Sequence, residues 1–158
     1  MALEIERRFL IKNDNWKEFI TKKIFIEQGY LSKGIDDWII RVRFTGKDFK
    51  IALKKHIESF TNFEFEYSIP QKDGETIMSN LSNTIKKERF FLEIEKKYWI
   101  IDCFKEKNYP LEIAEIELSS EDEDLSLPSF ISKEITGLTQ YSNFSLTKKP
   151  FSKWNMDF

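Results

Sequence analysis

Apolar and charged residues alternate with a period of two over most of this 158-residue chain, and this alternation constrains the fold more than any other feature. Residues i and i+2 of a β-strand point to the same face of the sheet, whereas a helix repeats every 3.6 residues. The segments at 88–95 and 97–104 form a predicted hairpin across Lys96-Lys97. Roughly eight evenly spaced strands are typical of a β-barrel or a β-sandwich. The alternation predicts strands at 3–11, 38–44, 49–54, 63–69, 88–95, 97–104 and 111–118, and shorter ones at 30–32 and 142–146.

Helical patterns are few. Asn13 or Asp14 is a suitable N-cap for a helix running to about residue 24, and Asp73 is suitable for a second helix. A third short helix is predicted at about 129–135. In the second helix, one face would carry Ile77, Leu81 and Ile85. These patterns predict an α+β fold, and the length suits a single domain over residues 1–158.

Composition excludes several functions. The formal net charge of −2 does not support a basic nucleic-acid surface. No apolar run approaches the roughly 20 residues that cross a bilayer, and no cleavable leader fits the charged start of the chain. We therefore expect a cytoplasmic protein that binds neither nucleic acid nor membrane. Because there is one cysteine and one histidine, an intramolecular disulfide, Cys-based zinc sites and His-pair metal sites are also excluded.

Like charges recur at i, i+2 within the predicted strands. Two carboxylates about 6.6 Å apart repel by roughly 2.5 kcal/mol at an effective dielectric of about 20. One interpretation is an antiparallel sheet with a solvated charged face. The other is a closed eight-stranded antiparallel barrel with a few helices packed outside, in which acids and bases face one another across a tunnel. The charged sets are Glu4/Glu6/Arg8, Arg41/Arg43, Lys50/Lys54, Glu64/Glu66, Lys87/Arg89 and Glu115/Glu117.

A closed barrel would suit a small polyanionic substrate. Carboxylates bind Mg²⁺ or Mn²⁺ through hard oxygen ligands, and Arg and Lys bind phosphate oxygens. These are the components of phosphoryl transfer, in which positioning and charge neutralisation supply most of the catalysis.

The chain resembles the CYTH proteins, also called triphosphate tunnel metalloenzymes, over about residues 3–146. Each motif is short, but all occur in the family's order and at similar spacing. The motifs are E-I-E-R-R at 4–8, Q-G-Y-L at 28–31, R-V-R-F at 41–44, L-K at 53–54, E-F-E-Y-S-I-P at 64–70, K-E-R-F at 87–90, W-I-I-D at 99–102, A-E-I-E-L at 114–118, T-G at 136–137 and Y-S-N at 141–143.

This resemblance implies an eight-stranded tunnel, a divalent metal and hydrolysis or transfer at a triphosphate. It implies that Glu4 orients the attacking water and that Arg8 acts at the reacting phosphate. Metal ligation is implied for Glu4, Glu6, Glu64, Glu66, Glu115 and Glu117. Phosphate binding is implied for Arg8, Arg41, Arg43, Lys54, Lys87 and Arg89.

The reaction that fits best is hydrolysis of inorganic tripolyphosphate to diphosphate and phosphate. Adenylate cyclase and thiamine triphosphatase, activities of family relatives, are alternatives, as is a module that binds polyphosphate or nucleotide without turnover. Three departures from the family pattern motivate this last alternative, since Arg8, Asn62 and Gln140 stand where the family usually has Lys, Arg and Arg. Neither the physiological triphosphate nor the oligomeric state can be read from the sequence, and a homodimer is one option.

Three other residues invite attention. His56 is expected in an exposed loop after Lys54, and Cys103 is expected to be a small core residue. Asp102 fits either a tunnel carboxylate or an ordinary residue at a strand end, and the sequence does not choose between them.

Overall fold

The structure is a computed structural model that describes residues 2–33 and 35–154. The predicted single domain, 1–158, therefore includes residues outside the described part, and it stays a prediction. Two α-helices occur in the described residues, α1 at Gln71–Ser79 and α2 at Asn143–Lys148. The strands are β1 Leu3–Ile11, β2 Ile20–Lys33, β3 Ile39–Phe44, β4 Phe49–Glu58, β5 Thr61–Ile69, β6 Thr84–Ile94, β7 Lys97–Phe104, β8 Glu112–Glu117 and β9 Ile131–Glu134.

Eight of these strands close into an antiparallel barrel, which confirms the predicted fold class. Their order is β5-β4-β3-β2-β6-β7-β8-β1, and β1 closes the ring by pairing with β5. The closing register joins Leu3 to Phe63 and Ile5 to Thr61. The ninth strand, β9, pairs with the end of β1 at Phe9 and Ile11.

Several predicted elements were wrong. The expected helix at 14–24 is a 3₁₀ turn, Asn15–Phe19, followed by the long strand β2. Ile20, Thr21 and Ile24 are β-branched, which favours a strand, and β2 pairs with β6 along most of its length. The short strand predicted at 30–32 is the end of this same β2.

Two further predictions were wrong, a helix at about 129–135 and a strand at 142–146. Residues 131–134 form β9 instead of a helix because the end of β1 offers them a pairing edge. The segment predicted as a strand at 142–146 is helical, since Ser142 is the N-cap of α2 and its hydroxyl accepts a hydrogen bond from the amide of Ser145 at 3.0 Å.

Helix α1 begins earlier and ends earlier than predicted. Its N-cap is Pro70, not Asp73, and it ends before Leu81 and Ile85. Ile85 instead lies in β6, opposite Gln28 of β2. The 88–95/97–104 hairpin is confirmed, but β6 starts at Thr84 and the turn residues are Glu95 and Lys96, both at positive φ.

The main apolar core lies on the outer face of β1, β7 and β8. It is covered by the turn that carries Trp16 and by the segment after β8, which contributes Leu118 and Phe130. Trp99 belongs to this outer shell, as predicted, and is 1% exposed. Helix α1 packs outside β3 and β4, where Gly74 lies directly against the ring of Phe49.

A second apolar cluster closes one end of the barrel. Inward-facing Ile85, Phe104 and Ile113 meet Tyr141 and Leu146 of the C-terminal segment there. Within residues 2–33 and 35–154, no helix has both the length and the apolar character needed to span a membrane.

Candidate active site in the barrel lumen

Charged side chains line the inside of the barrel because each strand alternates apolar residues facing out with charged residues facing in. Every one of the predicted site residues lies on a barrel strand, at one of the alternate positions whose side chains face the lumen. The ion pairs described below join side chains from different strands across this space. A solvated outer face, the alternative interpretation of the alternation, does not fit these contacts.

The first group of ion pairs is centred on Lys54. Its Nζ lies 2.7 Å from Oε1 of Glu4 and 3.8 Å from Oε1 of Glu6. Burial of the Lys54 ammonium opposes its charge, but Glu6 and Glu4 outweigh that effect and raise its pKa. Glu117 is the register partner of Glu6 and is exposed. Burial and the nearby Glu4 raise the pKa of Glu117.

The second group is centred on Arg41. Its Nη2 reaches Oε1 of Glu64 at 3.4 Å and Oε2 of Glu66 at 3.1 Å. Arg41 and Glu66 flank Ala52 in the strand register, and this small side chain leaves the space that the guanidinium crosses. Lys50 also approaches Glu66, at 3.6 Å.

The third group lies beside the apolar cluster that closes the barrel. Arg8 donates from Nε to Glu115 at 3.1 Å and from Nη1 to the carbonyl of Tyr141 at 3.1 Å. Asp102 accepts from Arg89 and pairs with Lys87 at 2.8 Å. The structure therefore settles the open question about Asp102, which is a lumen carboxylate.

Exposure rises along the lumen away from this third group. Lys87 is 0% exposed and Asp102 is 1% exposed, whereas the side chains of Lys54 and Lys50 are 28% and 40% exposed. The third group together with Arg43 has four bases, Arg8, Arg43, Lys87 and Arg89, against two carboxylates, Asp102 and Glu115, so this region has an excess of positive charge. The more exposed part has an excess of carboxylates.

Polar residues that sequence reasoning missed complete this cationic region. Gln28 is 0% exposed, accepts from Nε of Arg43 at 2.9 Å and donates to the hydroxyl of Tyr30 at 2.8 Å. Asn143 accepts from Lys87 at 3.0 Å. The sequence feature that could have indicated Gln28 is its i, i+2 spacing from Tyr30, which puts both side chains on the inner face of β2.

Burial and neighbouring charges shift the pKa values of three groups in the cationic region. Burial, together with Arg41 and Arg89, lowers the pKa of Arg43 to about 9. Burial lowers the pKa of Lys87 to about 7, although Asp102 opposes the shift. Burial would raise the pKa of Asp102, but Arg89 and Lys87 outweigh it and hold that pKa well below its usual range.

A divalent cation fits the chemistry of the acidic region. Burial, Glu115 and Glu4 raise the pKa of Glu6 to about 8, because neighbouring bases do not balance the negative charge there. Carboxylate oxygens are the hard ligands that such cations prefer. No cluster of three or more Asp, Glu, His or Cys side chains close enough to hold a metal occurs in the described residues. Several of the lumen carboxylates are instead paired with Lys54, Arg41 or Arg8.

Two other predicted side chains lie outside the charged lumen. His56 is exposed as predicted, but it belongs to β4 instead of a loop, and its Nδ1 lies 3.3 Å from Oδ1 of Asn62. Cys103 is half-buried and packs against the edge of the main apolar core, with Sγ 3.4 Å from Glu112. Burial and Glu112 raise the pKa of the Cys103 thiol, which disfavours the reactive thiolate.

An apolar groove of about 850 Å³ lies outside the lumen, between the end of β1 and the C-terminal segment. Leu111, Tyr141, Phe151 and Trp154 line it together with a few polar residues. The charged residues of its lining are Glu112, Lys148 and Lys149, far fewer than in the lumen.

A closed antiparallel barrel with carboxylates and bases opposed inside it defines a tunnel protein that processes phosphate anhydrides. No family model matches the chain. It is 31% identical over 156 residues to an inorganic triphosphatase of Acetivibrio thermocellus, with 98% of this chain and 99% of the relative aligned. This protein therefore belongs to the CYTH triphosphatases, the triphosphate tunnel metalloenzyme family.

Solved structures share this fold. The crystal structure of the inorganic triphosphatase NE1496 superposes with a TM-score of 0.67 at 26% identity, covering 91% of this chain and 97% of that one. A putative adenylyl cyclase from Hippeastrum, described as having a dominant triphosphatase activity, gives a TM-score of 0.56 at 12% identity, covering 76% and 80%. The second likeness shows the shared fold.

Proposed function

We propose that this protein hydrolyses inorganic tripolyphosphate to diphosphate and phosphate in the barrel lumen, with Mg²⁺ or Mn²⁺ as the metal. The observation that carries the proposal is a pair of buried donors in the lumen that have no partner. Nη2 of Arg8 and Nε of Arg41 are buried and have no hydrogen-bond partner among the described residues. Buried donors without partners are costly, and phosphate oxygens would satisfy them.

Arginine and lysine side chains would bind the phosphates. Arg43 supports this assignment because its neutral partner Gln28 orients the guanidinium without cancelling its charge. The guanidinium fork matches two phosphate oxygens, whereas lysine acts as a point charge. The proposed phosphate ligands are Arg8, Arg41, Arg43, Lys54, Lys87 and Arg89.

Carboxylates would hold the metal, which when bound neutralises phosphate charge and lowers the pKa of a water molecule. Glu4 is the proposed residue that orients the attacking water. Its neighbour Lys54 donates a hydrogen bond to one carboxylate oxygen at 2.7 Å and so fixes the orientation of the group. Arg8 would stabilise the charge on the reacting phosphate. The proposed metal ligands are Glu4, Glu6, Glu64, Glu66, Glu115 and Glu117.

The relatives support the substrate class. The A. thermocellus relative is named an inorganic triphosphatase and aligns over nearly its whole length. The NE1496 structure carries the same description. Arg8 keeps the positive charge of the lysine that the family usually has, and its ion pair with Glu115 keeps it in the lumen, so the departure is compatible with turnover.

The test is phosphate release from tripolyphosphate, ATP and thiamine triphosphate, each with Mg²⁺, with Mn²⁺ and with chelator. We expect the highest kcat/KM for tripolyphosphate and no release with chelator. Faster turnover of ATP or thiamine triphosphate would overturn the substrate assignment. Tight binding of tripolyphosphate without phosphate release under either metal would show a binding module instead.

A further inference from the structure

Asp102 is a carboxylate of the lumen that the proposed reaction does not use. It lies in β7 opposite Arg89 of β6, and its oxygens are occupied. Oδ1 accepts from Nε of Arg89 at 2.8 Å, while Oδ2 accepts from Nη2 of Arg89 at 2.9 Å and lies 2.8 Å from Nζ of Lys87. At 1% exposure, and with three contacts on its two oxygens, Asp102 lacks the access that a metal ligand needs.

We propose that Asp102 is a positioning residue that holds Arg89 and Lys87 as fixed cations at the buried end of the lumen, where they bind the triphosphate. This inference rests on the proposed function. The two-point contact fixes the plane of the Arg89 guanidinium, which a single contact would leave free to rotate. The remaining N–H groups of the guanidinium are then oriented by the same geometry.

Lys87 depends on Asp102 for a different reason. It is completely buried, with Asn143 as a neutral partner and the ring of Phe104 5.4 Å away. A buried ammonium without a carboxylate partner tends to lose its proton. Asp102 is the ion-pair partner of Lys87 among the described residues, so it opposes this loss and holds the side chain in place. The contact with Asn143 also ties the lysine to the first residue of α2.

The experiment compares Asp102→Asn with wild type in steady-state kinetics on tripolyphosphate, over a range of substrate and metal concentrations. We expect KM to rise at least tenfold while the metal concentration for half-maximal activity stays unchanged. Wild-type KM in a folded Asp102→Asn variant would overturn the proposal. So would an unchanged KM with a raised metal requirement, because that result would make Asp102 a metal ligand.

Glu134→Gln is the matched control. Glu134 forms the same two-point contact with an arginine, Arg7, at 2.9 and 2.7 Å, but on the outer face of the barrel. It should leave KM unchanged. If Asp102→Asn does not fold, Arg89→Lys replaces it, since lysine keeps the charge but loses the two-point contact. Arg89→Lys should raise KM at least tenfold, and a wild-type KM there would overturn the proposal.

The proposed function and this inference fail separately. Wild type without phosphate release under any metal would refute the function. Calorimetric titration with tripolyphosphate would then still test Asp102, with at least tenfold weaker binding expected for Asp102→Asn and equal binding overturning its positioning role.

Discussion

Lys54 Nζ lies 2.7 Å from Oε1 of Glu4 and thereby links β4 to β1 across β5, next to the three residue pairs that close the barrel. The contact has two consequences. It orients the carboxylate proposed to act on water, and it offsets the repulsion between Glu4 and Glu6 on the same strand face. Closure of the barrel and assembly of the site thus depend on the same charges.

Glu4→Gln is expected to lower phosphate release from tripolyphosphate at least about 100-fold, the order of a lost acid–base or electrostatic group. The amide keeps the shape but cannot accept a proton or hold a cation with full charge. Glu88→Gln is the control, because Glu88 pairs with Lys23 and Lys105 on the outer face. Near-wild-type kcat in folded Glu4→Gln would remove Glu4 from the site.

Arg43→Gln should weaken substrate binding while stabilising the fold. Arg43 is surrounded by Arg41 and Arg89 and has an amide as its hydrogen-bond partner. Removing its charge relieves like-charge repulsion, by about 1 kcal/mol at the effective dielectric of a protein interior. Thermal unfolding and KM for tripolyphosphate are the measurements, with Arg7→Gln as the control on the outer face. A lower Tm together with an unchanged KM would contradict the assignment.

Lys87→Met is expected to change how stability depends on pH. Burial lowers the pKa of Lys87 to about 7 from its ordinary 10.5, so between these values the unfolded chain binds one proton more than the folded chain. The free energy of unfolding of wild type therefore rises with pH through this window, by at most about 1.4 kcal/mol per pH unit from this group.

The variant lacks this contribution, so its stability relative to wild type should be greatest below pH 7 and should decline toward pH 10.5. Urea unfolding from pH 6 to 10 measures the difference. In the control Lys105→Met, the difference from wild type should stay flat, because Glu88 raises the pKa of Lys105 and puts its transition above this range. A flat difference for Lys87→Met would show that Lys87 titrates normally.

Gly74→Ala should destabilise the protein by about 1–3 kcal/mol, the usual cost of overpacking. A Cβ at this position would lie 2.1 Å from Cγ of Phe49. Helix propensity alone predicts the opposite, a gain of about 1 kcal/mol. Lys72→Ala, on the exposed side of α1, is the control without a clash. A higher Tm for Gly74→Ala would show that α1 can move away from β4.

The alternation of residues such as Glu4, Ile5 and Glu6 by itself determined most of the strands, the α+β class and which side chains of a strand share a face. Because alternate residues of a strand lie on opposite faces, a period of two shows which residues share a face and whether that face is apolar or charged. The same local pattern failed at 14–24 and 129–135, where helical spacing was outweighed by pairing with β6 and with β1.

Only the tertiary structure decided the contacts across the lumen. Arg41 reaches Glu66 over Ala52, and Asp102 joins Arg89 and Lys87 because closure and register bring separate strands together. The end of the barrel is closed by Tyr141 and Leu146, which are distant in sequence from β6 and β7. The pKa shifts of these groups depend on how deeply each one is buried. Because burial results from the packing of the whole barrel, the residue pattern of a single strand could not have shown these shifts.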